Sequence, residues 1–257
     1  MKLMKPFVST WFGLSIFAFR DLKTRYAGSY LGATWILVYP LSMALVSSVV
    51  FALVFKKTVN NVPYFIYTLS GFAAWVFFVQ TISSSARSLI QNRDIIVNNK
   101  VNTEIIVGGV IASRLVDLII TTTFLTFVSL VFGVLSFNPL VFAKSMTALL
   151  LVTVAVSLVV AAGNVYFRDV QTLVDIFLNI LFYATPIIYP IGVVPERYLW
   201  VFRLNPLIPI FSGFRGAIIP IPYDLQALDY ALITLSVLIF VAIKIYKRLE
   251  RNFAQFL

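Results

Sequence analysis

The sequence contains no cysteine and no histidine. Without cysteine there is no disulfide framework, no thiolate zinc site and no thiol nucleophile. Without histidine the commonest general base and the commonest metal ligand are both missing. Charge is scarce as well: 12 % of the 257 residues are Asp, Glu, Lys or Arg, about half the usual share near 25 %. No G-x-x-x-x-G-K-[ST] loop occurs, so the chain lacks the phosphate-cradling element with which it could hydrolyse ATP alone. What fills it instead is apolar, with 60 % hydrophobic residues and a mean hydropathy of +0.95. That composition excludes a soluble globular enzyme and a disordered chain. Long unbroken apolar runs exclude an outer-membrane barrel, whose strands alternate apolar and polar residues. The expected fold class is all-α, a polytopic helical membrane protein forming a single transmembrane domain over 1–257.

A bilayer-crossing helix needs about 20 residues, and six transmembrane helices are legible, over 31–55, 64–90, 105–135, 141–165, 173–189 and 228–247. The third stretch, about 46 Å long at 1.5 Å per residue, exceeds the hydrocarbon core. Its first turns, with Arg114 and Asp117, are expected to project toward water. Ahead of the spans, Lys2 and Lys5 precede an aromatic stretch over 7–19 that is too short to cross and has no small-x-small cleavage site. It reads as a cytoplasmic interfacial helix within 1–30 rather than a signal peptide. Between the fifth and sixth spans, Pro190, Pro195, Pro206, Pro209, Pro220 and Pro222 break an apolar segment. Two short re-entrant half-helices are predicted there, over 195–204 and 206–219, dipping into the outer leaflet within 191–222, the alternative being an ordinary outer-surface loop. Pro195 and Pro206 suit first helical turns, and Asn205 is a good N-cap. A basic tail covers 248–257.

The net charge is +10. In a soluble protein this would suggest nucleic acid. In a membrane protein it reflects Lys and Arg gathered in cytoplasmic loops. With the amino terminus inside, the cytoplasmic set is Lys2, Lys5, Arg20, Lys23, Arg25, Arg87, Arg93, Lys100, Arg114, Arg168, Lys244, Lys247, Arg248 and Arg251. The outer set is only Lys56, Lys57, Lys144, Arg197, Arg203 and Arg215. This asymmetry supports both termini in the cytoplasm and leaves no need for a nucleic-acid partner.

The acids are scattered and mostly neighbour a base, as Asp94 neighbours Arg93, and none forms a metal-binding cluster in a span, so no metal is expected. Asp117 lies three residues after Arg114, on the same helix face. Asp175 is the clearest acid inside a span. It is expected to pair with Arg114 at the cytoplasmic end, the alternative being a proton or ion relay. Aromatics are 16 % of the chain. Trp35 and Tyr39 are spaced i, i+4; Tyr67, Gly71, Trp75 and Phe78 follow one face of the second span; Tyr183 and Tyr189 sit late in the fifth. Such residues form interface belts or, more specifically, a wall whose ring faces pack against the C–H faces of sugars.

These residues carry a resemblance. The runs FRDLKTRYAGSYLGATW at 19–35, NVYFRDV at 164–170 and TPIIYP at 185–190, with VPE at 194–196, LNP at 204–206 and GFR at 213–215, are collinear over the whole chain. Together they resemble the permease subunits of bacterial polysaccharide-exporting ABC transporters, most closely those for O-antigen and lipopolysaccharide, and also those for capsule and teichoic acid. The resemblance implies a non-enzymatic, channel-forming subunit of the bacterial inner membrane that moves a lipid-linked glycan out of the cytoplasm. A related exporter of lipids or drugs is the alternative. It implies a homodimer bound to two separate ATPase subunits, which carry ATP and magnesium, while this chain binds no cofactor. The loop 91–104 would hold a coupling helix, with Asp94, Asn98, Asn99, Lys100, Asn102 and Glu104 facing the ATPase. That loop lacks a proline expected in relatives, which leaves the start of the third helix open. Arg20, Lys23 and Arg25 would meet the lipid headgroup. Trp35, Tyr39, Tyr67, Trp75, Phe78, Tyr183 and Tyr189 would line the channel, and Pro195, Asn205, Pro206 and Arg215 would belong to the outer gate.

Overall fold

The computed structural model describes residues 4–54, 58–99 and 101–256. Lys2, Lys56, Lys57 and Lys100 lie outside the described residues, and for Lys5, Asn99 and Arg203 only the backbone is described. The element order is α1 (Met4–Tyr26), α2 (Trp35–Val54), β1 (Thr58–Val59), β2 (Val62–Pro63), α3 (Tyr64–Gln91), α4 (Arg93–Asn99), α5 (Thr103–Val131), α6 (Pro139–Tyr166), α7 (Asp169–Ala184), α8 (Leu199–Arg203), α9 (Leu207–Gly216), α10 (Leu225–Glu250) and α11 (Phe253–Phe256). The two strands form a minimal antiparallel hairpin. Its turn residues, Asn60 (φ 48°) and Asn61 (φ 64°), tolerate the left-handed region better than most side chains.

Among the described residues, five helical stretches are long and apolar enough to cross a membrane: Gly32–Phe51, Tyr64–Gln91, Thr103–Val131, Pro139–Tyr166 and Leu225–Glu250. α7 has 16 residues, about 24 Å at 1.5 Å per residue. It stops at Ala184 rather than continuing to residue 189, because Pro186 removes an N–H and drives Thr185 into extended backbone (φ −118°, ψ 129°). Likewise α5 ends at Val131 and not at 135. Gly133 takes φ 67° and closes a Schellman motif, in which Val134 N–H donates to Ser129 C=O at 2.9 Å and Gly133 N–H to Leu130 C=O at 3.0 Å. α6 opens on Asn138, whose side chain accepts from Val141 N–H at 3.2 Å, with Pro139 as the first helical residue. Asp224 caps α10 through Ala227 N–H at 3.0 Å, starting that helix at Leu225 rather than 228. The two predicted half-helices are found as a 3-10 turn (Glu196–Tyr198) running into α8, and as α9.

α3 is the central helix. In its apolar 18-residue window 78 % of residues are buried, against 17 % in the corresponding window of the stretch containing α2 and 22 % in that of α10. α5, α6, α2, α9 and α7 all pack on α3, α10 packs on α6, and α1 lies along α5. Small residues make these approaches close. A Cβ on Gly109 would sit 2.5 Å from Phe17 Cβ, and one on Gly71 would sit 2.6 Å from the Ile187 carbonyl oxygen. α1 is longer than the predicted 7–19 stretch and presents Trp11, Phe12, Ile16 and Phe19 as exposed side chains.

Apolar burial falls into two clusters. The larger one includes Leu69, Phe72, Phe78, Ile82, Leu118, Leu149, Ile210 and Phe214. The smaller one sits at the α4 end of the bundle and joins Leu89, Ile106, Val107, Ala161, Val165, Tyr246 and Phe253.

Candidate functional site

A cavity of about 280 Å³ opens where α1 hands over to α2. The chain leaves α1 at Tyr26, turns on Gly28 (φ 74°) and Gly32 (φ 51°), and re-enters helix at Trp35. Helical periodicity supplies the walls. α2 contributes Trp35, Ile36, Tyr39 and Pro40; α3 contributes Ala73, Val76, Phe77 and Gln80; α5 contributes Arg114, Asp117, Leu118 and Thr121; α1 contributes Arg25 and Tyr26. On α3 and α5 these positions repeat as i, i+3, i+4, i+7, one stripe of each helix. Pro40 lacks the N–H that would bond the Ile36 carbonyl, so a backbone acceptor of the wall is left without its helical partner.

The cavity floor is charged but balanced. Asp117 Oδ2 lies 2.5 Å from Arg25 Nη1 and 3.4 Å from Arg114 Nη1. Arg25 Nε also lies 3.0 Å from Asp21 Oδ2, and Asp21 accepts from Ser113 Oγ at 2.6 Å. Arg114 donates to Gln80 Oε1 at 2.5 Å and to Ser84 Oγ at 2.8 Å. Two guanidiniums therefore meet two carboxylates. Asp117 Oδ1, Arg25 Nη2 and Arg114 Nε are buried without a hydrogen-bond partner. Orphaned buried donors and acceptors of this kind are costly unless something completes them. Burial raises the pKa of the Tyr26 phenol, and the neighbouring Asp117 charge adds to it, so its hydroxyl keeps its proton. Half-exposed Trp35 and Tyr39 form the rim.

The structure divides the aromatic residues expected to line a channel. Trp35 and Tyr39 reach the cavity. Trp75 and Phe78 do not: they lie on the opposite face of α3, buried against Phe182 and Phe211, and are core residues. Tyr67 is also buried. Its ring carries the Arg215 guanidinium 3.8 Å from its centroid, and its hydroxyl donates to the Tyr189 carbonyl at 3.0 Å. Tyr183 is exposed, and its carbonyl accepts from the Tyr189 hydroxyl at 2.5 Å.

Other expected groupings change too. Asp175 does not meet Arg114. Its carboxylate accepts from Ser83 Oγ at 2.6 Å, whereas Arg114 takes Ser84, about 100° further round α3 at 3.6 residues per turn. Arg114 and Asp117 do not project toward water but are buried between α1, α3 and α5, 13 % and 14 % exposed. Arg25 is withdrawn into the same network and is not free for a headgroup. Arg20 donates to Asn92 and lies over the Phe17 ring, while Lys23 is exposed. In the 91–104 segment α4 is a distinct short helix with Asp94 and Asn98 exposed. Lys100 is outside the described residues, as is the Asn99 side chain. α5 begins at Thr103 rather than 105; Asn102 precedes it without a side-chain cap bond, and exposed Glu104 lies 3.9 Å from Lys247.

At the opposite end Asn205 ties the broken segment together. Its Oδ1 accepts from Leu207 N–H at 3.0 Å, and its Nδ2 donates to Thr185 Oγ1 at 3.0 Å. Pro206 immediately precedes α9, and Pro195 precedes the 3-10 turn rather than lying inside it. Arg215 is buried with no carboxylate among its described partners. It donates to Ser70 Oγ at 3.1 Å and to the Ile187 and Pro186 carbonyls at 2.8 and 3.4 Å.

The family model described as "ABC-2 type transporter" matches residues 13–219. The chain belongs to the ABC-2 type transporter family. Among curated relatives, the O-antigen export system permease protein RfbA of Klebsiella pneumoniae is 25 % identical over 240 residues, covering 93 % of this chain and 92 % of the relative. RfbA of Myxococcus xanthus is 25 % identical over 200 residues, covering 77 % and 76 %. The polysialic acid transport protein KpsM of Escherichia coli is 22 % identical over 241 residues, covering 90 % and 91 %. The chain is thus the membrane component of an ABC-2 transporter, built from several apolar helices.

Within this ABC-2 permease, sequence reasoning missed Tyr26, Gln80, Ser84 and Thr121 as cavity or network residues. Gln80 gave a usable signal, being an amide inside an apolar span, where a polar group needs a partner. Asp21 joins the same network through Arg25, 3.0 Å away.

Proposed function

We propose that this ABC-2 permease is the membrane-spanning subunit of an ATP-driven exporter of lipid-linked polysaccharide, an O-antigen-like polymer, across the bacterial inner membrane. The cavity carries this reading. An aromatic rim of Trp35 and Tyr39 beside Arg25, Arg114, Asp117 and Gln80, with Asp21 behind the lining balancing the second arginine, suits a sugar ring, whose C–H faces pack on aromatic faces and whose hydroxyls both donate and accept. Tyr26, Gln80 and Thr121 of the lining carry groups that donate to or accept from such hydroxyls. A cavity of about 280 Å³ holds one or two rings rather than a chain. The names of the O-antigen and polysialic acid relatives point the same way.

The permease acts as a homodimer with two ATPase subunits, which hold ATP and magnesium. Both termini lie in the cytoplasm. α7 together with the turns and bends of 185–190 completes a sixth crossing, and α8 and α9 form the outer gate. ATP-driven closure of the partner presses on α4 and on α1, the bundles separate at the dimer interface, and the glycan passes from the cavity to the outer face. Lys23, exposed at the end of α1, is left to meet the lipid phosphate.

The test is export of surface polymer in cells carrying Trp35→Ala or Tyr39→Ala. Loss of one stacking contact removes about 1.4 kcal/mol, a tenfold loss of sugar affinity, so polymer output falls while the complex with the co-purifying ATPase persists. Normal polymer in both variants refutes the sugar site. Failure of any ATPase to co-purify refutes the exporter.

A further inference from the structure

The carboxy-terminal end of α10 is tied to the start of α5 by a continuous hydroxyl chain. Tyr246, fully buried, donates from its hydroxyl to Thr103 Oγ1 at 2.7 Å. Thr103 in turn donates to the Glu250 carboxylate. Thr103 is the first residue of α5, four positions after α4 ends. Two residues further back, Val101 packs against the smaller apolar cluster.

That cluster is separate from the main core. It gathers Phe17 of α1, Leu89 and Ile90 of α3, Ile96 of α4, Ile106 of α5 and Tyr246 of α10. Tyr166 at the end of α6 closes it, donating to the Leu249 carbonyl at 2.8 Å and packing its ring against Phe256, 4.5 Å between centroids. α5 is held from its other side by α1, where Gly108 and Gly109 leave no room for a Cβ against Leu14 and Phe17. The start of α5 is therefore gripped by α1 and α10 at once, and both grips lie next to α4.

We propose that Tyr246, Thr103 and Glu250 are positioning residues that carry movement of α4 into α10, so that the carboxy-terminal end of α10 belongs to the coupling unit. The inference rests on the assignment of α4 as the ATPase contact. It extends the coupling unit to residues 246–250, beyond the 13–219 stretch that the family model matches. A rigid side-chain network with no slack passes a displacement from one helix to the next, because packed interiors have few voids to absorb it. Removing the Tyr246 hydroxyl leaves the apolar packing of the ring but breaks the chain at its buried end.

Amide hydrogen exchange on the intact complex with its ATPase, with and without a non-hydrolysable ATP analogue and magnesium, tests this. In the wild-type complex the analogue changes exchange both at 93–104 and at 244–253. In Tyr246→Phe and in Glu250→Gln the change at 93–104 persists, while the change at 244–253 falls at least fivefold. A purely structural role would alter exchange at 244–253 in both nucleotide states equally and leave the difference intact, and that result overturns the proposal. So does a wild-type complex in which the analogue leaves 244–253 untouched. Absence of any change at 93–104 in the wild type refutes instead the assignment of α4 as the ATPase contact.

Discussion

Asp117 is the residue on which the cavity turns, because one of its oxygens serves both Arg25 and Arg114. Truncating one member of a buried ion pair leaves an uncompensated charge and costs about 3–5 kcal/mol. With Asp117 14 % exposed, the loss falls at the lower end, about 3 kcal/mol. Asp117→Asn and Arg25→Ala are therefore expected to lower the melting temperature of the detergent-purified complex, whereas Lys23→Ala leaves it unchanged. Equal melting of Arg25→Ala and wild type would return Arg25 to the lipid surface. At this scale the sequence was only partly legible. The i, i+4 spacing of Trp35 and Tyr39 named two residues that reach the cavity. The same kind of spacing also named Trp75 and Phe78, which face Phe182 and Phe211. Periodicity defines a face but not what that face meets, and α3 is buried on nearly every side. The Arg114–Asp175 pairing failed for a related reason: Ser83 and Ser84 are adjacent in sequence yet serve opposite neighbours.

Among the elements, local chemistry fixed the ends that it controls. Asn138-Pro139 starts α6, Asn205-Pro206 precedes α9, and α5 stops at a glycine. What hydropathy could not supply was the break at Thr185-Pro186, since an apolar run continues past it to Tyr189. That break has a consequence for the proposed outer gate. Arg215 binds the Pro186 and Ile187 carbonyls while lying over Tyr67, so α9, α3 and the segment after α7 form one block. Lysine cannot reproduce a planar fork that donates in several directions. Arg215→Lys is expected to loosen that block, read as faster proteolytic cleavage within 185–198 of the membrane-embedded complex, with α4 and the Asp117 network unaffected. Cleavage unchanged from wild type would remove Arg215 from the gate. α4 supplies the complementary prediction: scrambling residues 94–98 leaves assembly intact but separates ATP hydrolysis from polymer output, and a coupled scrambled variant would contradict its role.

The whole molecule buries one helix deeply and leaves others open. α3 is enclosed, while Leu45, Val46, Val49 and Val50 on α2, and Ile176, Phe177, Ile180 and Tyr183 on α7, remain exposed. In a bilayer those faces meet acyl chains or a second copy, which agrees with a dimer around a conduit. The chain's charge distribution follows the same division. Its paired charges gather at the α1–α5 junction, and Lys144 pairs with Asp229 at 2.7 Å where α6 meets α10. In the proposed function, this permease and its ATPase move a lipid-linked glycan by way of the Trp35–Tyr39 cavity. Proteoliposomes containing the purified complex and a radiolabelled polyprenyl-diphosphate-linked oligosaccharide measure it directly. ATP and magnesium should deliver label to the trans leaflet, with a rate about tenfold lower for Trp35→Ala. Label that stays on the cis side with ATP present, or crosses equally fast in the variant, contradicts the account.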